Sequence, residues 1–181
     1  MTDKPIRRVQ QVDQSVAWLA EALLQLMQQR PYKNISISAI ANRSGLSRRT
    51  FYRHFDTIDA LLDHVIEAQV NEMITTISNA RPHRFREVVL IFFTACVPQR
   101  EFLLNLQSNN LMPHLLTQLT TGVQKSLLAV LLPKNDTYTF AFAAGGIWNL
   151  LNQWLSDNAA ATPEEMGDVA ERIAIHLGDI V

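Results

Sequence analysis

The densest chemistry in the chain lies at residues 46–55, "LSRRTFYRHF", which hold three arginines, a histidine, a tyrosine, a threonine and a serine but no carboxylate. Wound at about 100° per residue, Phe51 and Phe55 fall on one helical stripe and Arg49 and Arg53 on nearly the opposite side, with Thr50 beside them. Arg48 and Tyr52 share one flank and His54 lies on the other. Such a helix turns its aromatic rings inward and offers solvent a face of guanidinium forks, hydroxyls, a phenol and an imidazole. Guanidinium groups pair bidentately with guanine edges in a DNA major groove, whereas Ser, Thr, Tyr and His suit single hydrogen bonds to phosphate oxygens. A charge run alone is commonly no more than a solvated face.

The elements that must position this face argue for more than solvation. Ser36 can cap a short helix whose inward residues are Ile37, Ile40, Ala41 and Ser44, and Gly45 ends it as a C-terminal glycine. Ser47 can cap the next. Two short helices joined through "SGLS" have helix-turn-helix spacing. Ala41 keeps the crossing close, Gly45 takes the positive φ of the turn, and Leu46 and Phe51 plug the junction. The charge pattern agrees: residues 22–55 carry six Lys/Arg and no acid, and residues 1–64 hold +3 while residues 65–181 hold −4, within a chain of net charge −1. Positive charge segregated onto one segment of a near-neutral chain suits a local polyanion contact.

Around the motif the periodicity predicts helices throughout. Val12, Val16, Leu19, Ala20, Leu23 and Met27 make an amphipathic stripe over residues 12–29, ending before Pro31. Asp56 or Thr57 can cap a long fourth helix with Ile58, Leu61, Leu62, Val65, Ile66, Val70 and Met73 as its apolar residues. Prolines 82, 98, 113, 133 and 163 then divide the remainder into blocks of roughly 84–97, 100–110, 113–131, 136–157 and 163–179. Without a hairpin dipeptide or an alternating strand pattern, the expected fold is all-α with about nine helices.

Several function classes drop out. A hydrophobic content of 48% in 181 residues supplies a core without staples, and the single cysteine, Cys96, makes no internal disulfide. No N-terminal signal core follows "MTDKPIRR", and no apolar run approaches the roughly 20 residues of a membrane span, so a soluble, cytoplasmic protein is expected. The five histidines show no metal-ligand spacing, and there is no CxxC, HExxH, GxSxG or phosphate-binding glycine loop. Neither an enzyme nor a cofactor is expected.

The stretch "ISISAIANRSGLSRRTFYRHFDTIDALL" resembles the N-terminal DNA-binding domain of TetR/AcrR-type bacterial transcriptional regulators over about residues 12–66. The resemblance implies that Ser36, Ser47, Thr50, Tyr52 and His54 meet the phosphate backbone and that Arg48 and Arg49 lie at or near base edges, with Arg43 and Arg53 completing the DNA-binding set. Two positions depart from the family pattern. Arg49 stands where a small residue is usual, and Ile58 where a lysine near the start of the fourth helix is often found.

By the same resemblance, residues 1–66 form the DNA-binding domain and residues 67–181 a regulatory and dimerisation domain of a homodimer. "AAGGIWNLLNQWLSDNAAATPEEM" resembles the penultimate helix, loop and last-helix start of a subset of these regulators. Paired glycines within a helix hint at close helix approach. Gly145, Gly146, Leu151, Trp154, Val169, Ile173 and Leu177 are the interface candidates, and equally candidates for plain core. An effector pocket among the middle helices would draw on Phe92, Cys96, Phe102, Leu106, Asn110, His114 and Trp148, again with ordinary core as the competing role. The implied function is a sequence-specific regulator of double-stranded DNA, a repressor released from a palindromic operator by a small-molecule effector. The competing reading is a helical interaction module or small-molecule carrier that keeps the helix-turn-helix only as packing.

Overall fold

The structure, a computed structural model, describes residues 4–124 and 137–178. Among the described residues there are nine α-helices and no strand: α1 Lys4–Met27, α2 Ile37–Ser44, α3 Arg48–His54, α4 Ile58–Ala80, α5 Phe85–Cys96, α6 Arg100–Ser108, α7 Met112–Gln124, α8 Thr137–Ser156 and α9 Pro163–Gly178. Single 3-10 turns at Tyr32–Asn34 and Val97–Gln99 lead into α2 and α6. The all-α expectation holds. The first helix starts earlier than its apolar stripe, because "KPIRRVQQ" contains nothing that stops a helix and Pro5 sits in the first turn, where a missing N–H costs nothing. The end of the block expected at 113–131, the residue 136 start and the residue 179 end lie outside the described residues, as does the Val12 side chain.

The chain divides into two compact units, Met1–Ile66 and Glu67–Val181, with α4 belonging to both. In the first, α1 packs on α2 and α3. Its core is Leu19, Ala22, Leu23, Leu26 and Met27 of α1, Ile35, Ile40 and Ala41, Phe51 of α3, and Leu61, Leu62, Val65 and Ile66 of α4. Val16 and Ala20, expected on the buried stripe, are half-buried, while Ala22 and Leu26 take the inner positions.

In the second unit α5 packs along α9, and α6 meets α8. Phe93 stands edge-on to Phe92 and to Trp154, with ring centroids 5.2 and 5.4 Å apart. Trp154 donates its indole N–H to the Ala161 carbonyl at 2.8 Å, so the ring is buried with its polar atom satisfied. Within the chain, one helix comes close to another at Gly167. A Cβ there would touch Leu90 Cβ at 3.5 Å and Arg86 at 3.6 Å, whereas a Cβ on Gly145 or Gly146 would meet nothing within 4 Å. Arg86 crosses the same seam to Asp168 at 2.6 Å.

The start of α9 is a reciprocal capping box. Thr162 Oγ1 accepts the Glu165 N–H at 3.2 Å, Glu165 Oε2 accepts the Thr162 N–H at 2.7 Å, and Pro163 occupies the first helical position. Thr162→Ala is expected to cost about 1 kcal/mol of unfolding free energy, and Thr162→Ser to recover most of it. Urea denaturation followed by circular dichroism measures both; equal midpoints for Thr162→Ala and the parent chain would contradict a stabilising cap.

Candidate nucleic-acid interface

Gly45 ends α2 at φ 71°, ψ 16°, and the Leu46 N–H reaches back to the Ala41 carbonyl at 2.9 Å. No neighbour lies within 4 Å of a Cβ at this position, so the left-handed backbone, not space, is what requires glycine. This turn aims α3. Phe51 fixes it from inside with no exposed surface. Phe55, expected inward beside it, is only half-buried because it terminates the helix at φ −139°, and its ring leans on Phe51 and His64.

Hydroxyl caps begin both short helices. Ser36 Oγ accepts the Ala39 N–H at 3.1 Å, and Ser47 Oγ accepts the Thr50 N–H at 3.0 Å while lying 2.9 Å from Thr50 Oγ1. Capping uses the oxygen lone pair and leaves a hydroxyl proton to donate. Each helix start therefore presents a donor of the kind a phosphate oxygen accepts.

The four arginines of the expected set are held differently. Arg43 donates its Nε–H to Gln25 Oε1 at 2.7 Å, and Gln25 donates to Glu21, which ties α2 to α1 and leaves only the terminal N–H groups for an anion. The Arg48 guanidinium lies 6.0 Å from the ring centre of Tyr52, itself half exposed and edge-on to Phe51. Arg53 NH2 is 3.3 Å from His54 Nε2. Arg49 is exposed and makes no hydrogen bond, ion pair or ring contact among the described residues. Its fork is thus uncommitted. Burial, then the charge of Arg53, lowers the His54 pKa below its ordinary value, so near pH 7 the ring is neutral and meets an anion as a single N–H donor.

One positioning contact was missed by sequence reasoning. Tyr32 donates its O–H to Asp59 Oδ1 at 2.6 Å, joining the turn before α2 to the first turn of α4. Burial and the Asp59 carboxylate push the phenol pKa up, so the proton stays in place. At 27 residues' separation, no local spacing signals the pair. Thr57 caps α4 by accepting the Ala60 N–H at 3.0 Å. With Asp59 in that first turn and Ile58 in place of a lysine, the α4 start is a poorer phosphate site than its amides alone suggest.

The second unit contains an open cavity of about 540 Å³ whose apolar walls include Val70, Met73, Phe102 and Leu115. Of the expected pocket residues, Cys96 and Phe102 line it. Phe92, Leu106, Asn110, His114 and Trp148 do not: Phe92 and Leu106 are packed into the core, and Asn110 is an exposed residue at φ 59° closing the end of α6. The α4 residues Gln69, Glu72, Met73 and Thr76 supply a wall that sequence reasoning placed elsewhere, having treated α4 mainly as a core-facing helix. Burial pushes the Cys96 thiol up to about 12, which leaves it essentially without thiolate at neutral pH.

The expected interface set also divides. Leu151 and Trp154 are 1% and 3% exposed within their own unit and are core, leaving them no surface for a second chain. Val169 is half-buried, Ile173 is exposed, and the Leu177 side chain lies outside the described residues. The exposed stripe of α8 instead runs through Tyr138, Phe142 and Gly146, and α9 adds Ile175.

A capped helix pair crossing through Ala41, with an inward Phe51 and a cationic outer face, defines a helix-turn-helix DNA-binding domain. Residues 19–65 match the family model described as "Bacterial regulatory proteins, tetR family". The first unit thus carries a helix-turn-helix similar to that family's DNA-binding domain over residues 19–65. Among solved structures, that of the TetR family repressor AlkX from Dietzia sp. strain DQ12-45-1b, implicated in biodegradation of n-alkanes, is similar at 16% identity. The likeness covers 91% of this chain and 95% of that one, with a TM-score of 0.44. No curated protein matches the chain. Among the described residues no helix is long and apolar enough to cross a membrane.

Proposed function

We propose that the protein is a homodimeric transcriptional repressor that binds a palindromic operator and is released from it by a small-molecule effector held in the second unit. The observation that carries the reading is the outer face of α3. Buried Phe51 fixes the helix, hydroxyl caps hold donors at its start, and the Arg49 fork is uncommitted. One such helix makes few contacts. Two, entering successive major grooves about 34–36 Å apart, read a site long enough to be selective. The exposed apolar residues Tyr138, Phe142, Ile173 and Ile175, with open glycines at 145 and 146, suit burial against a second copy. Because α4 lines the cavity and also belongs to the first unit, an effector that moved it would change the spacing of the two recognition helices.

The test is a gel shift with duplex DNA from beside the protein's own gene. Retention of that DNA as a dimeric complex, against little retention of a scrambled duplex, is the expected result. No retention even at low salt would end the regulator reading in favour of a helical carrier.

A further inference from the structure

The polar groups lining the cavity in the second unit are unequal in kind. Glu72 and Glu164 bring two carboxylates, and among the described residues no lysine, arginine or histidine lines the space. The two threonines have spent their protons: Thr76 Oγ1 donates to the Glu72 carbonyl at 3.0 Å, and Thr94 Oγ1 donates to the Leu90 carbonyl at 2.8 Å. What these hydroxyls have left to offer is lone pairs. Among the described lining residues, the amides of Gln69 and Gln99 and the weak S–H of Cys96 remain as side-chain donors. The Glu72 carboxylate has no hydrogen-bond or ion-pair partner among the described residues. Arg86, the guanidinium that acts electrostatically on Glu164, lies outside the lining and is bonded to Asp168. The cavity therefore combines apolar walls with an excess of acceptors and, at Glu72, a carboxylate that no described cation pairs.

We infer that the cavity takes a lipophilic ligand bearing a protonated amine, its hydrocarbon body on the apolar walls and its ammonium group toward Glu72 and Glu164. An ammonium group supplies the donors that the lining is short of and the charge that Glu72 leaves unmatched. A carboxylate ligand of the same shape would meet like charge and find few donors. A neutral alcohol would keep the apolar contacts but leave the carboxylates unpaired. The volume lies within the range that ordinary small-molecule sites occupy. This assignment rests on the proposal that the cavity is the effector site, and it adds the chemical class of the effector.

Isothermal titration calorimetry of the full chain with a matched series, n-decylammonium, n-decanol and n-decanoate, tests it without DNA. The amine is expected to bind at least about tenfold more tightly than either analogue, since one charge-assisted contact is worth about that factor. Glu72→Gln and Glu164→Gln should each weaken the amine by about tenfold and leave the alcohol unchanged; both positions are exposed, so neither change threatens folding. Equal or tighter binding of decanoate, an amine affinity indifferent to both substitutions, or no amine binding would overturn the assignment. Operator affinity is measured separately on the same preparations. An amine that binds with the expected charge dependence but leaves operator affinity unchanged upholds the ligand class and overturns the release mechanism, whereas intact DNA binding with no amine binding overturns the ligand class alone.

Discussion

Phe51→Ala is expected to destabilise the protein by about 3–5 kcal/mol and to abolish specific DNA binding at growth temperature. The phenyl ring is completely buried, in contact with the rings of Tyr52 and Phe55. Deleting it removes the transfer free energy of a large apolar group and leaves a cavity that the neighbours only partly fill. Two features make that loss decisive for DNA binding. The first unit ends at Ile66, and a domain of that size has little stability to spare. Moreover, α3 spans only Arg48–His54, too short to be helical without tertiary support. Tyr52→Phe is the control: its side chain is half exposed, so the loss should stay within about 0.5 kcal/mol while all DNA sequences bind more weakly. Urea denaturation followed by circular dichroism gives the stabilities and a gel shift the affinities. A Phe51→Ala loss below about 1 kcal/mol would mean that something other than this ring holds α3 in place.

The helix-turn-helix was legible because each of its devices is local. A serine three residues before the amide it caps, a glycine at the positive-φ turn between the two helices and an aromatic pair at i and i+4 are all readable as spacing, and Ser36, Ser47, Gly45 and Phe51 occupy those roles. What spacing does not encode is which surface covers an apolar stripe. Leu151 and Trp154 read equally well as interface or core, and only the edge-on packing of Phe93 and the Ala161 carbonyl decide for core. Among the described glycines, the one with a neighbouring helix of the same chain against it is Gly167, which stands alone in its sequence context, whereas Gly145 and Gly146 face open space. The cavity was half legible: Cys96 and Phe102 follow from the apolar pattern of α5 and α6, but the polar wall contributed by α4 depends on which face of a long helix is left uncovered. The Tyr32 to Asp59 bond lies beyond any periodic signal.

Operator affinity should fall by roughly 10³ between 50 and 200 mM salt, and the slope of that dependence should separate the roles of the arginines. A dimer whose two copies each neutralise about three phosphates releases about six counterions, and log K then falls with log salt at a slope of about −5. Arg48 over the Tyr52 ring, Arg53 beside His54 and Arg43 tied to Gln25 are held close to the protein surface, and such groups act as fixed charges facing the backbone. For them, alanine should weaken every duplex alike and flatten the slope by nearly two per dimer. Arg49 is different. Its fork is uncommitted on the outer face of α3, where bidentate pairing with a guanine edge is worth about 1–3 kcal/mol of discrimination per half-site. Arg49→Ala should therefore leave the salt slope nearly unchanged and lower the preference for operator over a half-site-substituted duplex by about 10- to 100-fold. Arg49→Lys should not restore it, since a point charge lacks the fork. Fluorescence-anisotropy titrations at four salt concentrations, on both duplexes, measure slope and preference together. If Arg49→Ala instead flattens the slope and keeps the preference, the extra arginine of this recognition helix is a phosphate clamp, and sequence reading falls to Arg48.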